Sequence, residues 1–258
     1  MKTKIEFTKK LVYKAKDYIL DQIENNEIKV DTKSSYNDFV TSVDKGVENF
    51  LVNAITNEFN NQTFLTEEAM VENKVGDESW IIDPIDGTTN FVYNQQYFAI
   101  SIAHYVDGKP AFGIVYDVMA DELYLGIHGE GAYINGKKLE TLDQSLDFPD
   151  VIVSSSYSIF NDFDFTPEEL NSNIIAHRYI GSAAIEICHV AHGRLHVYQA
   201  RRLNLYDIAA AVIILDEVSG KWRFGDHYNS VNVGHESSIF YAGTNDNIFN
   251  FMDKNYLK

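Results

Sequence analysis

A chain of 258 residues with 45% hydrophobic and 23% charged residues can bury a substantial core, as one large domain or two small ones fused, and it holds no uninterrupted apolar run long enough to span a bilayer. Its formal charge of −17 opposes direct binding to nucleic acid, because affinity for a polyanion comes mostly from Lys and Arg displacing counterions. The single cysteine, Cys188, excludes an intramolecular disulfide, and the N-terminus lacks the apolar run of a secretory signal, so a cytoplasmic protein is the expectation.

In chain order, Leu11, Val12, Ala15, Tyr18, Ile19 and Ile23 recur at helical spacing and predict a first helix. A second, longer stripe runs through Val40, Val43, Val47, Phe50, Leu51, Ala54, Ile55 and Phe59. Strand-like runs follow: SWIID, YFAISIAHYV, AFGIVYDVM and ELYLGIH, with DGKP as a hairpin turn and GEGAYINGKK as a glycine-rich loop. These predict an antiparallel sheet. From about residue 150 the elements alternate: strand VIVSSS, a helix starting at TPEEL, a short strand HRYI, a helix from Ser182, strand RLHVYQ, helix LYDIAAAVIILDEV, strand SSIFYAG and a terminal helix from Thr244. Alternation of this kind implies an α/β layer. In TPEEL, Thr166, Pro167 and Glu169 mark the helix start through a capping box. The segment LDQSLDFPD, residues 142 to 150, separates the two patterns, so halves of 1–145 and 146–258 are expected.

The stretch WIIDPIDGTTNF, residues 80 to 91, places Asp83 where a buried strand is expected to stop, because Pro84 cannot continue a central ladder. Asp86 is followed by Gly87, which tolerates a tight turn, and by Thr88, Thr89 and Asn90, which can cap a helix or contact an anion. Two carboxylates converging there would repel each other unless a divalent cation lay between them, and oxygen donors suit Mg²⁺. A phosphate could then be held against the metal by the donors after Gly87. As a plain turn the same residues would be unremarkable, since Asp, Pro, Gly and Thr all favour turns.

The stretch resembles the signature of the inositol monophosphatase family, the Mg²⁺-dependent, lithium-sensitive phosphatases that include fructose bisphosphatase-like and nucleotide phosphatase members. KSSYNDFVTSVDKGVENFL resembles its second-helix segment, LTEEA its paired glutamates, GEGAYINGKK its glycine-rich loop, GSAAIEICHVAHG its substrate-side helix, and LYDIAAA the helix bearing its last metal ligand. The resemblance implies an α-β-α-β-α layered sandwich, an α+β half joined to an α/β half. It implies that Glu67, Asp83 and the backbone carbonyl of Ile85 hold one Mg²⁺ while Asp83, Asp86 and Asp207 hold a second, with two or three ions per subunit. Thr88 paired with Asp44 resembles the family's water-activating dyad, and Glu67 joins them in the catalytic set. Gly87, Thr88, Thr89, Gly181, Ser182, Ala183 and Asp207 are the implied substrate contacts, and the match at KSS gives Lys33 a place near the metals. A homodimer acting on a small phosphate ester is implied as well. Taken singly, Asp44 reads as a solvated helix charge, Asp207 as a first-turn aspartate favoured by the helix dipole, and Glu67 with Glu68 as a loop pair.

Thr66 and Tyr206 are small departures from the family, standing where a glycine and a tryptophan are common, and one departure is larger. Members that prefer inositol carry a glutamate seven residues before the last aspartate ligand, and Ala200 stands there, followed at once by Arg201 and Arg202. Arginine suits phosphate and carboxylate, so a second anionic group on the substrate, as in a sugar bisphosphate or a phosphorylated dinucleotide, is one reading; the other is that both arginines point to solvent or pair with surface acid. From a different class, the family's transcription-associated branch raises a regulatory interaction protein as the rival.

Overall fold

The computed structural model describes residues 1–25, 27–32, 39–230 and 237–256; Lys33 and the KSSYND opening of the second-helix segment lie outside them. The first part of the chain forms α1 (Lys2–Glu24), β1 (Val30–Thr32), β2 (Phe39–Thr41), α2 (Ser42–Glu58), β3 (Thr63–Thr66), β4 (Glu78–Asp86), α3 (Thr88–Tyr93), β5 (Ala99–Val106), β6 (Lys109–Asp117), β7 (Glu122–Ile127), β8 (Gly131–Ile134) and β9 (Lys137–Lys138). The remainder forms β10 (Ile152–Ser155), a 3₁₀ turn (Tyr157–Asn161), α4 (Pro167–Asn171), β11 (Ala176–Arg178), α5 (Ala183–Ala191), β12 (Val197–Leu203), α6 (Leu205–Asp216), β13 (Lys221–Phe224), β14 (His227–Tyr228), β15 (Ser238–Gly243) and α7 (Asp246–Lys254).

Among the described residues, β3 to β9 make one seven-stranded sheet in chain order, and a six-stranded sheet runs β11-β10-β12-β15-β13-β14. Side chains alternate across the first sheet with the strand period. Trp80, Ile82, Ile100 and Ile102 pack with Val12, Val47 and Leu51 of α1 and α2, whereas Ile81, Ala99 and Ala103 pack with α5 and α6. The other face of α6 meets Trp222 and Phe240 of the second sheet. Val153, Val197 and Tyr241 on that sheet's far side pack with Ile159, Leu170, Ile248 and Met252 of the 3₁₀ turn, α4 and α7. The result is the expected α-β-α-β-α sandwich. Covered on both faces, α6 is apolar nearly all round, as a fully buried helix must be. No helix among the described residues is long and apolar enough to cross a membrane.

The close approach of α6 depends on two glycines. A Cβ on Gly113 would stand 2.3 Å from the Ala210 carbonyl oxygen, and one on Gly126 would stand 2.8 Å from the Ile214 backbone. Backbone cannot give way as a side chain tip can, so Gly113→Ala is expected to destabilise the protein by about 1–3 kcal/mol in urea unfolding.

Several expectations are corrected. β3 was not anticipated, and it runs parallel to β4, so the first sheet is mixed. GEGAYINGKK is a hairpin, β8 against β9, turning at Asn135 and Gly136, both at positive φ; an Asn-Gly pair supplies that turn. β13 and β14 were also missed. The run RLHVYQ begins its strand later, at Val197, and carries it through both arginines, and HRYI shifts to Ala176–Arg178. Val40 and Phe59 flank α2 instead of belonging to it. β4 does not stop at Asp83 but continues to Asp86.

Candidate active site

That last correction explains how two acids three residues apart share one site. On a regular strand, odd separations put side chains on opposite faces. Asp83 pairs with Ser101 and Asp86 with Ala99, so Pro84 and Ile85 together oppose a single residue of β5. The extra residue is a β-bulge, which is where a strand can accommodate proline, and it turns Asp86 to the same side as Asp83.

Asp207 arrives from the other half of the chain. It is the third residue of α6, and its Oδ2 accepts the Asn204 backbone N–H at 2.6 Å, as in a capping box. Carboxylate oxygens of Asp83, Asp86 and Asp207 lie within 4.8 Å of one another. Asp83 is 1% exposed; burial, and then the charges of Glu67, Asp86 and Asp207, hold its carboxyl well above the usual range. Burial also drives Asp86 up to about 7, with the Ser182 hydroxyl and the Ala184 N–H opposing it and the Glu67 charge adding to it. Two buried carboxylates and a half-buried third, with the charges of Asp86 and Asp207 raising the proton affinity of Asp83, all offer oxygen and fit a hard divalent cation.

Asp44 occupies the same helical position in α2 that Asp207 occupies in α6. Its Oδ2 accepts the Thr41 N–H at 2.9 Å and the Thr41 hydroxyl, while the Thr41 hydroxyl oxygen accepts the Val43 N–H at 3.1 Å. Oδ1 is left for the site, where the Thr88 hydroxyl lies at 3.3 Å from it and 3.2 Å from the Ile85 carbonyl oxygen. Asp44 is fully buried, and burial raises its carboxyl to about 6 against the bonds from Thr41. The reading of Asp44 as a solvated charge is therefore excluded.

Gly87 sits at φ +94°, and a Cβ there would approach the Tyr97 carbonyl oxygen at 2.9 Å, so the turn into α3 needs glycine. Across the cleft, Asp86 is gripped by the start of α5: it accepts from the Ser182 hydroxyl, from Ala183 N–H at 3.3 Å and from Ala184 N–H at 2.8 Å. The Asn90 side chain adds a bond to the Ile180 carbonyl at 2.8 Å. The end of β4 and the start of α5 thus meet around one carboxylate.

A cleft of about 560 Å³ opens over these groups, lined by Glu67, Asp83, Ile85, Asp86, Gly87, Thr88, Gly181, Ala183 and Asp207 at one end. Ala200, Arg201, Arg202, Leu203, Ser156, Ser158, Tyr179 and Tyr198 line the rest. Both arginines reach it because β12 carries a second bulge, an added residue between Ala200 and Leu203 against β15. Arg201 also pairs with Asp162 at 2.8 Å. Two of the expected substrate contacts stand elsewhere. Thr89 is exposed and lines a neighbouring groove with Asn94 and Tyr97, and Ser182 is 1% exposed with its hydroxyl directed to Asp86. Ser156, Ser158, Tyr179 and Tyr198 were not anticipated; only the strand end at VIVSSS hinted at the first.

The chain is similar to known proteins over most of its length. Residues 1–225 match the model of the inositol monophosphatase family. The chain is 36% identical over 227 residues to the inositol-1-monophosphatase of Bacillus subtilis (strain 168), covering 84% of this chain and 83% of that protein. It is also 36% identical over 196 residues to Nus factor SuhB of Pasteurella multocida (strain Pm70), covering 73% of each. Among solved structures, an IMPase/NADP phosphatase complexed with NADP and Ca²⁺ superimposes with a TM-score of 0.87 at 26% identity, covering all of this chain (100%) and 98% of the other.

Proposed function

The chain belongs to the inositol monophosphatase family and hydrolyses phosphate monoesters, and we propose that it does so with two or three Mg²⁺ ions per subunit held by Glu67, Asp83, the Ile85 carbonyl, Asp86 and Asp207. The observation that carries this reading is the convergence of Asp83 and Asp86 from β4 and Asp207 from α6 on one point. Bound there, Mg²⁺ would lower the pKa of the attacking water and offset charge on the phosphoryl group.

The protein's own groups divide the remaining work. Thr88 Oγ1 holds the attacking water, and Asp44 Oδ1 behind it takes up the proton, a role suited to a carboxyl that burial has raised to about 6. Backbone N–H groups of Gly87 and Thr88 face the phosphate, with Gly181 and Ala183 on the opposite wall. Glu67, in the loop after β3, and Asp207 of α6 close the site. We further propose a cytoplasmic, lithium-sensitive homodimer, in which buried Cys188 is core filler.

Inositol monophosphate is the default substrate. A second reading is favoured by Arg201 and Arg202 in the cleft wall beside Ala200: esters carrying a second anionic group should bind better. Phosphate release from inositol phosphate, fructose bisphosphate, NADP and 3′-phosphoadenosine phosphate tests both. Replacing Arg201 and Arg202 by Ala is expected to raise KM about tenfold or more for the doubly anionic esters, with kcat little changed and inositol phosphate unaffected. Equal effects on all four would reject the second reading.

A further inference from the structure

We propose that Glu48, a residue of α2 outside the cleft lining, is a positioning residue that sets Glu67 for metal binding; this rests on Glu67 being a Mg²⁺ ligand. Glu48 is fully buried, and every donor it meets belongs to the segment that carries Glu67. Its Oε1 accepts the Thr66 hydroxyl at 2.8 Å and the Met70 N–H at 2.7 Å, and its Oε2 accepts the Glu68 N–H at 2.8 Å. Glu67 therefore lies inside a loop whose two sides are drawn onto one carboxylate.

The loop needs such an anchor. Ala69 stands at φ +49°, a conformation that costs a non-glycine residue free energy and persists only when its surroundings enforce it. Upstream, the Glu67 N–H donates to the Ile82 carbonyl at 3.2 Å, and Asn73 brackets Thr66 by accepting its N–H at 2.8 Å and donating to its carbonyl at 3.0 Å. Downstream, Glu68 and Met70 are tied through Glu48. The helix supplies the geometry: Glu48 lies four residues after Asp44, so both project from the same face one turn apart. α2 thereby holds the partner of Thr88 and the loop of Glu67 in one rigid frame.

Glu48→Gln keeps the volume but cannot keep the bonds. Whichever way the amide is turned, its NH₂ faces a backbone N–H, that of Glu68 or that of Met70, and two donors repel. The expected result is Mg²⁺ binding weakened about 10- to 100-fold by calorimetric titration, the usual range for an outer-sphere support. The Mg²⁺ concentration for half-maximal phosphate release rises by a similar factor, and kcat at saturating Mg²⁺ stays within about threefold. Thr66→Ala, which removes one of the three donors, gives a smaller loss in the same direction and serves if Glu48→Gln does not fold. Glu67→Gln measured alongside separates the two claims. If it weakens Mg²⁺ binding while folded Glu48→Gln, or failing that Thr66→Ala, binds as wild type, the positioning role is overturned. If Glu67→Gln itself binds Mg²⁺ as wild type, the ligand assignment falls first and this inference with it.

Discussion

Asp83→Asn is expected to cut phosphate release at saturating Mg²⁺ by about 10³-fold or more, while raising the melting temperature of the metal-free protein. The two effects have one cause. Asp83 is proposed as a ligand of the metal, so its loss would remove charge stabilisation that no neighbour replaces. Without metal the same carboxylate is a liability, buried and repelled by Glu67, Asp86 and Asp207. Asparagine keeps the shape and removes the charge, which should add about 2–4 °C for each kcal/mol of repulsion relieved. Steady-state kinetics and calorimetry with chelator check both halves; a variant that is inactive and less stable would show that Asp83 is chiefly a structural residue.

Stability of the metal-free protein is expected to fall as pH rises from about 4 to above 7. Asp44 at about 6 and Asp86 at about 7 lie above the ordinary value of 3.8, so the folded chain binds more protons than the unfolded chain across this window. Stability then decreases with pH, being greatest when these groups are protonated and least once both have ionised. For Asp86 alone the change is on the order of 4 kcal/mol. Saturating Mg²⁺ should flatten the profile and release protons on binding near pH 6, because ligation requires the ionised carboxylates. Chemical denaturation across the pH range, with and without Mg²⁺, measures this, and an unchanged slope on adding Mg²⁺ would contradict the assignment of the acids as ligands.

Much of the fold was legible because helical stripes and strand alternation are local patterns. The first two helices, the four central strands of the first sheet and α5 to α7 all follow from them. What escaped depended on partners distant in sequence. β3 is only four residues long, and its place beside β4 is set by pairing across the intervening loop. Proline at residue 84 argued for a strand end, yet a bulge absorbed it, and bulges are specified by the neighbouring strand as much as by their own residues. The second bulge, in β12, likewise decides that two consecutive arginines share the cleft.

The candidate site was legible at WIIDPIDGTTNF and, through family resemblance, at the scattered acids. Two of those acids also carry a local physical signal. TSVD and NLYD each place a capping residue three before an aspartate, the pattern that ties one carboxylate oxygen to a helix start. Asp44 and Asp207 both follow it. Glu48 had no such signal, since its partners, the Thr66 hydroxyl and two backbone N–H groups, lie 18, 20 and 22 residues away in the chain.

On the proposed reading, the acids that β4 and α6 bring together hold the metal on which phosphate release depends. Inorganic phosphate release from inositol monophosphate is followed before chelation, after it and on restoring Mg²⁺. Release should stop with chelator and return with Mg²⁺. Release that persists under full chelation, or none from folded protein saturated with Mg²⁺ on any ester of the panel, would contradict it and bring forward an interaction role for the fold.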